Sequence, residues 1–514
     1  MKTKNTQRIL IITIITMIMS IAWISWNSYR KTITDASPTI PSCPDCNVIL
    51  ISLDTLRAKS LPCFGYDKNT APFLCDLASK SYTFTNAYSQ STYTLDSHMS
   101  LFTSLYPTSH GVATPYIHTL SKDVKTLAEV LKQQDYKTYY LGVGIYNDPR
   151  LPLKRGLGRG FDTIATADDP QSWKESMEKL DLTSGKFFTF LHTYAVHHPY
   201  VPKSESVNKL YSMNFPSYKQ WYDACKTRYQ RIQTVHPDIF PERDRGKGYN
   251  YCNEIAEFYL REGANGKPGE LLEKEPLYEE FMQSYFNATT ENKQSSGSTP
   301  IVKALYESKI TDLDSDLKGF FQFLHKKNLL KNTVVIIFGD HGEELFEHGQ
   351  LTHGTQLYDE TIHVPMIISV PNAQPRRIDK LAQLIDIIPT LLPMLTIPVP
   401  AQAQGINLLS DTINDYVFSE TSIDRKRAII GRDWKLIVNN DTAGGGKTRE
   451  LYQRSTDPNE RQNLSLTNTL QADALERLLT DQVARRKVYK PTTQDFPADI
   501  NEEDRQKLLQ TGYR

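Results

Sequence analysis

Neither sign of charge is in excess: Lys and Arg together number 59, as do Asp and Glu, so the formal net charge at neutral pH is zero. That balance removes the basic footprint by which proteins hold DNA or RNA, and no nucleic-acid partner is expected. Internal repeats are also missing, so the fold is not a stack of one small unit. Cysteine is scarce, at six residues. Disorder is excluded from the other direction, because 39% hydrophobic residues in 514 can fill a large core.

Long apolar runs are confined to the N-terminus, where Ile9 to Trp26 is almost uninterrupted, with Lys2, Lys4 and Arg8 before it and Arg30 and Lys31 after it. The run is long enough for a membrane helix, with Trp23 and Trp26 at an interfacial position. A cleaved signal peptide is the alternative. Both readings export the remainder, and residues 1–30 are expected to be an anchor or signal segment on an extracytoplasmic, single-pass or secreted protein. The cysteines fall into three local couples that an oxidising compartment could bridge: Cys43 with Cys46, Cys63 with Cys75, and Cys225 with Cys252. Six cysteines allow other pairings.

Residues 31–46 read as a linker, rich in Pro and Ser between Asp35 and Pro44. From Asn47 onward short apolar runs alternate with helical patterns. NVILIS, YKTYYLGV, KFFTFLH, TVVIIFG and VPMIISV read as buried strands, and Val124 to Gln134 and Tyr306 to Lys326 as helices. The expectation is an α/β domain over 47–390 with a mainly parallel central sheet flanked by helices. Residues 204–300, poor in aliphatics and rich in Tyr, Lys, Glu and Arg, read as an inserted helical and loop region, either a lid or a solvated decoration. A smaller α+β subdomain is expected over 391–514.

In open α/β sheets the loops after parallel strands converge on one crevice. Asp54 follows NVILIS, His192 and His197 follow KFFTFL, and Asp340 and His341 follow TVVIIFG. Two carboxylates and several imidazoles meeting there would make a hard O/N ligand set for a divalent cation. A lone Asp after a strand is usually a helix cap, so the coincidence at three strand ends is what carries the argument. Thr94 precedes the probable helix Met99 to Thr103, where backbone N–H groups and the helix dipole favour an oxyanion. Thr94 is therefore a candidate nucleophile, with a helix N-cap as its plain alternative.

Several blocks in order resemble the sulfatase family of the alkaline-phosphatase superfamily: NVILISLDTLR, TLDSHMSLFTSLYPTSHGV, LHTYAVHHPYVP and above all VVIIFGDHGEELFEHGQLTHGTQLYDETIHVPMII. The resemblance implies an alkaline-phosphatase-like fold and one divalent metal ion (Ca, Mn, Mg or Zn) on Asp54, Asp340 and His341, touched by Thr94. It also implies that His197 and His353 act on the transferred group or leaving alcohol, His353 standing where many sulfatases have lysine. His98, in place of the motif's usual arginine, is expected near the substrate with His192 and His198. His192, His348 and His363 are more readily structural.

The departures bear on substrate. Thr94 cannot become the formylglycine that sulfatases make from Cys or Ser, Gly142-Val143-Gly144-Ile145 replaces a lysine and a histidine, and Thr55 replaces a second carboxylate. A threonine resembles instead the phosphodiesterases and phosphotransferases of the superfamily, although the Asp-x-x-x-His pair that supplies a second zinc in the two-metal diesterases is not found, and a single-metal site is expected. The expectation is a metal-dependent hydrolase or transferase of sulfuric or phosphoric esters, acting on a small molecule, glycan or lipid headgroup. A catalytically silent envelope scaffold is the rival, and bound metal distinguishes them.

Overall fold

The computed structural model describes residues 40–112, 118–142, 153–198, 200, 202–211, 298–421, 426–440 and 446–490. The apolar run Ile9 to Trp26, Cys225, Cys252 and most of the expected insertion lie outside these residues. Among the described residues no helix is long and apolar enough to cross a membrane.

The core is an eight-stranded sheet. Its strands are β1 (Asn47–Leu53), β2 (Tyr82–Tyr88), β3 (Lys137–Gly142), β4 (Thr163–Thr166), β5 (Phe187–Thr193), β6 (Thr333–Phe338), β9 (His363–Ser369) and β10 (Arg376–Gln383), in the order β10-β2-β9-β6-β1-β5-β3-β4. Between β6 and β9 a two-stranded ribbon forms from β7 (Glu344–Leu345) and β8 (Leu351–Thr352). Strands β1, β5 and β6 are buried at nearly every position because helices cover both faces, which is why they read as continuous apolar runs. Two large apolar clusters lie on the two sides of the sheet. One contains Phe84, Phe102 and Leu391, the other Trp173, Phe320 and Leu324 of the long helix Ser298–Lys326.

Three features differ from the expectations. VPMIISV, as β9, runs antiparallel to both β2 and β6, a direction that an all-apolar run cannot report. The helix expected over Val124 to Gln134 is only Leu127–Lys132, because Thr126 accepts from the Glu129 N–H while Glu129 accepts from the Thr126 N–H, a reciprocal cap that fixes the start. The helix expected from Tyr306 begins at Ser298.

The C-terminal part forms an antiparallel sheet of β11 (Val417–Glu420), β12 (Arg427–Ile430), β13 (Trp434–Asn439) and β14 (Thr448–Gln453), covered by helix Thr469–Arg485 through Ala472, Leu475 and Leu479. It is tied to the main domain by a buried cation: Lys435, fully buried, sits 2.9 Å from Asp359 and 2.6 Å from Glu460. Two of the three expected cysteine couples, Cys43–Cys46 and Cys63–Cys75, are disulfides.

Candidate active site

Strands β6, β1 and β5 lie side by side and parallel, with Ser52 of β1 paired to Phe338 of β6 and to His192 of β5. Their carboxyl ends therefore deliver Asp54, Asp340 and His192 to one point on the sheet edge, all at most 1% exposed. The chain can turn here because Thr55 takes a left-handed backbone (φ 59°), unusual for a β-branched residue and held by the Tyr306 hydroxyl donating to its carbonyl at 2.7 Å. The Thr55 and His341 N–H groups both donate to Asp340 Oδ1, at 3.2 and 2.9 Å. Gly342 is required next to them, since a Cβ there would stand 1.9 Å from the Glu360 carbonyl oxygen.

Thr94 is the first residue of helix Thr94–Thr103, which starts five residues earlier than the sequence suggests. The N-cap position is held by Tyr93, not by Thr94. The capping alternative for Thr94 is thus set aside. Its Oγ1 lies 3.1 Å from Asp54 Oδ2 and 3.2 Å from His341 Nε2. The helix is anchored against the same strand end by Ser97, whose hydroxyl donates to the Asp340 carbonyl at 2.7 Å.

Asp54 Oδ1 and Asp340 Oδ2 are buried and have no hydrogen-bond partner. Both face the His341 ring: Nε2 is 4.0 Å from Asp54 Oδ1 and 3.6 Å from Asp340 Oδ2. Donor atoms about 2.1 Å from a common ion lie roughly 3.0–4.2 Å apart as the angle between them opens from a right angle to a line. The 3.1 and 3.2 Å separations from Thr94 and the 3.6 and 4.0 Å separations from His341 fall in that span, Asp54 presenting one oxygen to each. The His341 Nδ1 is 2.9 Å from the Gly342 carbonyl, which must accept its proton, so Nε2 presents a lone pair to the carboxylates. Burial pushes Asp54 up to about 6, and burial together with the Asp54 charge pushes Asp340 up to about 7. The orphaned oxygens, the tautomer and the spacing all fit a divalent ion held by Asp54, Asp340 and His341.

The other expected residues are distributed around this set. His192 Nε2 is 3.0 Å from Asp54 Oδ2. His98, one turn along the helix from Thr94, packs against Phe190 and Phe338, 2.8 Å from Ser52 Oγ and 3.8 Å from Asp340 Oδ2. A second group of three possible ligands is thereby formed by His98, His192 and Asp340. The rings of His197 and His198 lie 4.6 Å apart, His353 is 5.1 Å from His197, and His341 is 4.4 Å from His353, so a row of imidazoles runs outward from His341, which touches Thr94. Burial holds His98, His197 and His353 well below the usual histidine range and lowers His192 to about 4.

His348 and His363 go elsewhere. His348 stacks on Tyr358 at 3.6 Å and bonds to Glu360 and the Glu460 carbonyl. His363 bonds to the Thr85 carbonyl and stacks on Tyr88. One Asp-x-x-x-His spacing is present after all, Asp359-Glu-Thr-Ile-His363, but its Asp is taken by Lys435 and its His by the Thr85 carbonyl. Glu343 is a site residue that the sequence motifs did not single out: it is fully buried, with Oε1 2.9 Å from His353 Nδ1. A charged residue three positions after Asp340, in a stretch with strand ends on both sides, was the available signal.

A family model described as Sulfatase matches residues 46–397, and one described as N-sulphoglucosamine sulphohydrolase, C-terminal, matches residues 347–488. Human arylsulfatase K is 24% identical over 259 residues, covering 46% of this chain and 47% of that protein, so the chain spans about half the length of that relative. Among solved structures, a 2-O GAG sulfatase superposes with a TM-score of 0.61 at 18% identity, covering 88% of this chain and 95% of that one. The phosphonate monoester hydrolase of Agrobacterium radiobacter superposes with a TM-score of 0.60 at 17% identity, covering 86% and 96%. These likenesses place the fold among sulfatase-like α/β structures.

Proposed function

The chain belongs to the sulfatase family, and from that premise we propose that it is a metal-dependent ester hydrolase that uses Thr94 as its nucleophile. The observation that carries the reading is the Thr94 hydroxyl at a helix N-terminus, 3.1 Å from Asp54 and 3.2 Å from His341, beside two orphaned carboxylate oxygens. A divalent ion on Asp54, Asp340 and His341 would supply Lewis acidity, offsetting charge on the transferred group and acidifying the hydroxyl.

The substrate class is decided by what a threonine can release. A threonine ester of sulfate has no aldehyde hydrate through which to expel the group, whereas a phosphoryl-threonine is cleaved by attack at phosphorus. Phosphoric or phosphonic esters are therefore favoured over sulfuric ones. In the first step Thr94 Oγ bonds to phosphorus and its proton passes to Asp54 Oδ2. The bond from phosphorus to the alcohol oxygen breaks, its electron pair leaves with that oxygen, and the imidazolium form of His353 or His197, favoured once the anionic ester is bound beside it, protonates it. In the second step water attacks phosphorus as the bond from phosphorus to Thr94 Oγ breaks, one of the water's protons passes to the imidazole, and Thr94 Oγ, leaving with the electron pair, recovers its proton from Asp54. The backbone N–H groups at the start of helix Thr94–Thr103 face the developing negative charge.

Two disulfides in the main domain support an oxidising, extracytoplasmic location, with the N-terminal apolar run as anchor or export signal. Turnover of aryl sulfates, phosphate monoesters, phosphodiesters and phosphonate monoesters by the native chain and by Thr94→Ala tests the proposal. The variant is expected to lose at least about a thousandfold in kcat while keeping its metal. Undiminished turnover would remove Thr94 from the chemistry, and a native chain free of divalent metal and inert on all four classes would favour a binding role.

A further inference from the structure

We propose that Glu343 is the positioning residue for His353, and that the ribbon β7–β8 holds the two in register; this rests on the hydrolase reading above. In the ribbon Leu345 pairs with Leu351 and Glu344 with Thr352, so Glu343 and His353 are the next two residues on the same ladder, at its open end. Their side chains meet there, Glu343 Oε1 lying 2.9 Å from His353 Nδ1. Glu343 is fully buried and His353 nearly so. Thr352, immediately before His353, is held at φ 76°, a conformation that a β-branched residue adopts only when its surroundings impose it.

The consequence is a choice of tautomer. A neutral imidazole has one N–H, and a carboxylate oxygen beside Nδ1 accepts it there. Nε2 is then the nitrogen that His353 offers to a ligand, on a ring 4.4 Å from His341 and 5.1 Å from His197. Without Glu343 the proton is free to sit on either nitrogen and the ring to turn. Glu343 acts through His353 and touches no reacting atom. It is not among the donors that cluster as Asp54, Asp340 and His341 do.

A double-mutant cycle tests this, with metal content measured on every variant. Glu343→Leu is expected to lower kcat on esters of poorly acidic alcohols by about 10- to 100-fold, the usual effect of losing the partner of a working histidine. Glu343→Gln, whose amide oxygen still accepts the Nδ1 proton, should recover most of that loss. In a His353→Ala background, Glu343→Leu should lower kcat no further, because the two residues act as one. Multiplying effects in the double variant, or metal lost from Glu343→Leu, would overturn the proposal. The 15N resonances of His353, assigned by their disappearance in His353→Ala, decide the matter without turnover. They should show the proton on Nδ1 in the native chain and in Glu343→Gln, and redistributed in Glu343→Leu. An unchanged tautomer in Glu343→Leu would refute the positioning role even if every ester tested proved inert.

Discussion

Removing the divalent ion should lower the melting temperature by about 4 °C, and only when Asp54, Asp340 and His341 are intact. Thr94 lies 40 residues from Asp54 and 247 from His341, so the unfolded chain cannot gather these donors and the ion binds the folded state alone. A ligand at about a hundred times its dissociation constant then stabilises that state by roughly 2.7 kcal/mol. For a domain of this size the unfolding entropy is on the order of 0.7 kcal/mol per kelvin, which converts the gain to about 4 °C. The assay is calorimetry on chelator-treated protein, with Ca, Mg, Mn and Zn titrated back one at a time. Asp340→Asn withdraws one of the two orphaned oxygens' negative charges and should flatten the response. A melting temperature indifferent to all four metals, or an equal rise in Asp340→Asn, would refute the metal site.

Three further outcomes are expected from the packing. His110 is buried, with its ring accepting from the Val112 N–H and meeting Ser100, and burial lowers it to about 3. The unfolded chain therefore binds the extra proton, and stability should fall as pH drops below about 6.5, by roughly 2 kcal/mol at pH 5 and levelling off near pH 3; chemical denaturation of native and His110→Gln protein across this range measures it. Lys435→Met leaves Glu460 buried without its cation and Asp359 with the more distant Lys59 at 3.8 Å, and should cost about 3–5 kcal/mol, read from denaturation midpoints. Gly342→Ala drives a Cβ against the Glu360 carbonyl and should cost about 3 kcal/mol or more, with loss of bound metal, measured by calorimetry and metal analysis.

The strands that build the site were legible in the sequence because they are buried on both faces: NVILIS, KFFTFLH and TVVIIF are each centred on apolar residues, and the polar residues at their C-terminal ends mark the sheet edge. Strands β2 and β10 were not legible. YTFTNAY and RRIDKLAQ mix polar and apolar residues because β10 lies at the sheet edge and half of its positions meet solvent. The cysteine couples at Cys43 and Cys63 were legible for a similar local reason, their partners being close in sequence.

By itself the sequence determined the residue types at the strand ends, Asp54, Asp340 and His341, and the threonine that replaces a modifiable Cys or Ser. Local patterns suffice for these, since burial writes itself into runs of apolar residues and chemistry into the polar residues at their ends. Only the tertiary structure decided which of several histidines meet the carboxylates, that Asp359 and His363 serve packing instead, and that Glu343 stands beside His353. These are outcomes of strand direction, ladder register and hydrogen-bond competition between residues remote in the chain, which no local pattern encodes.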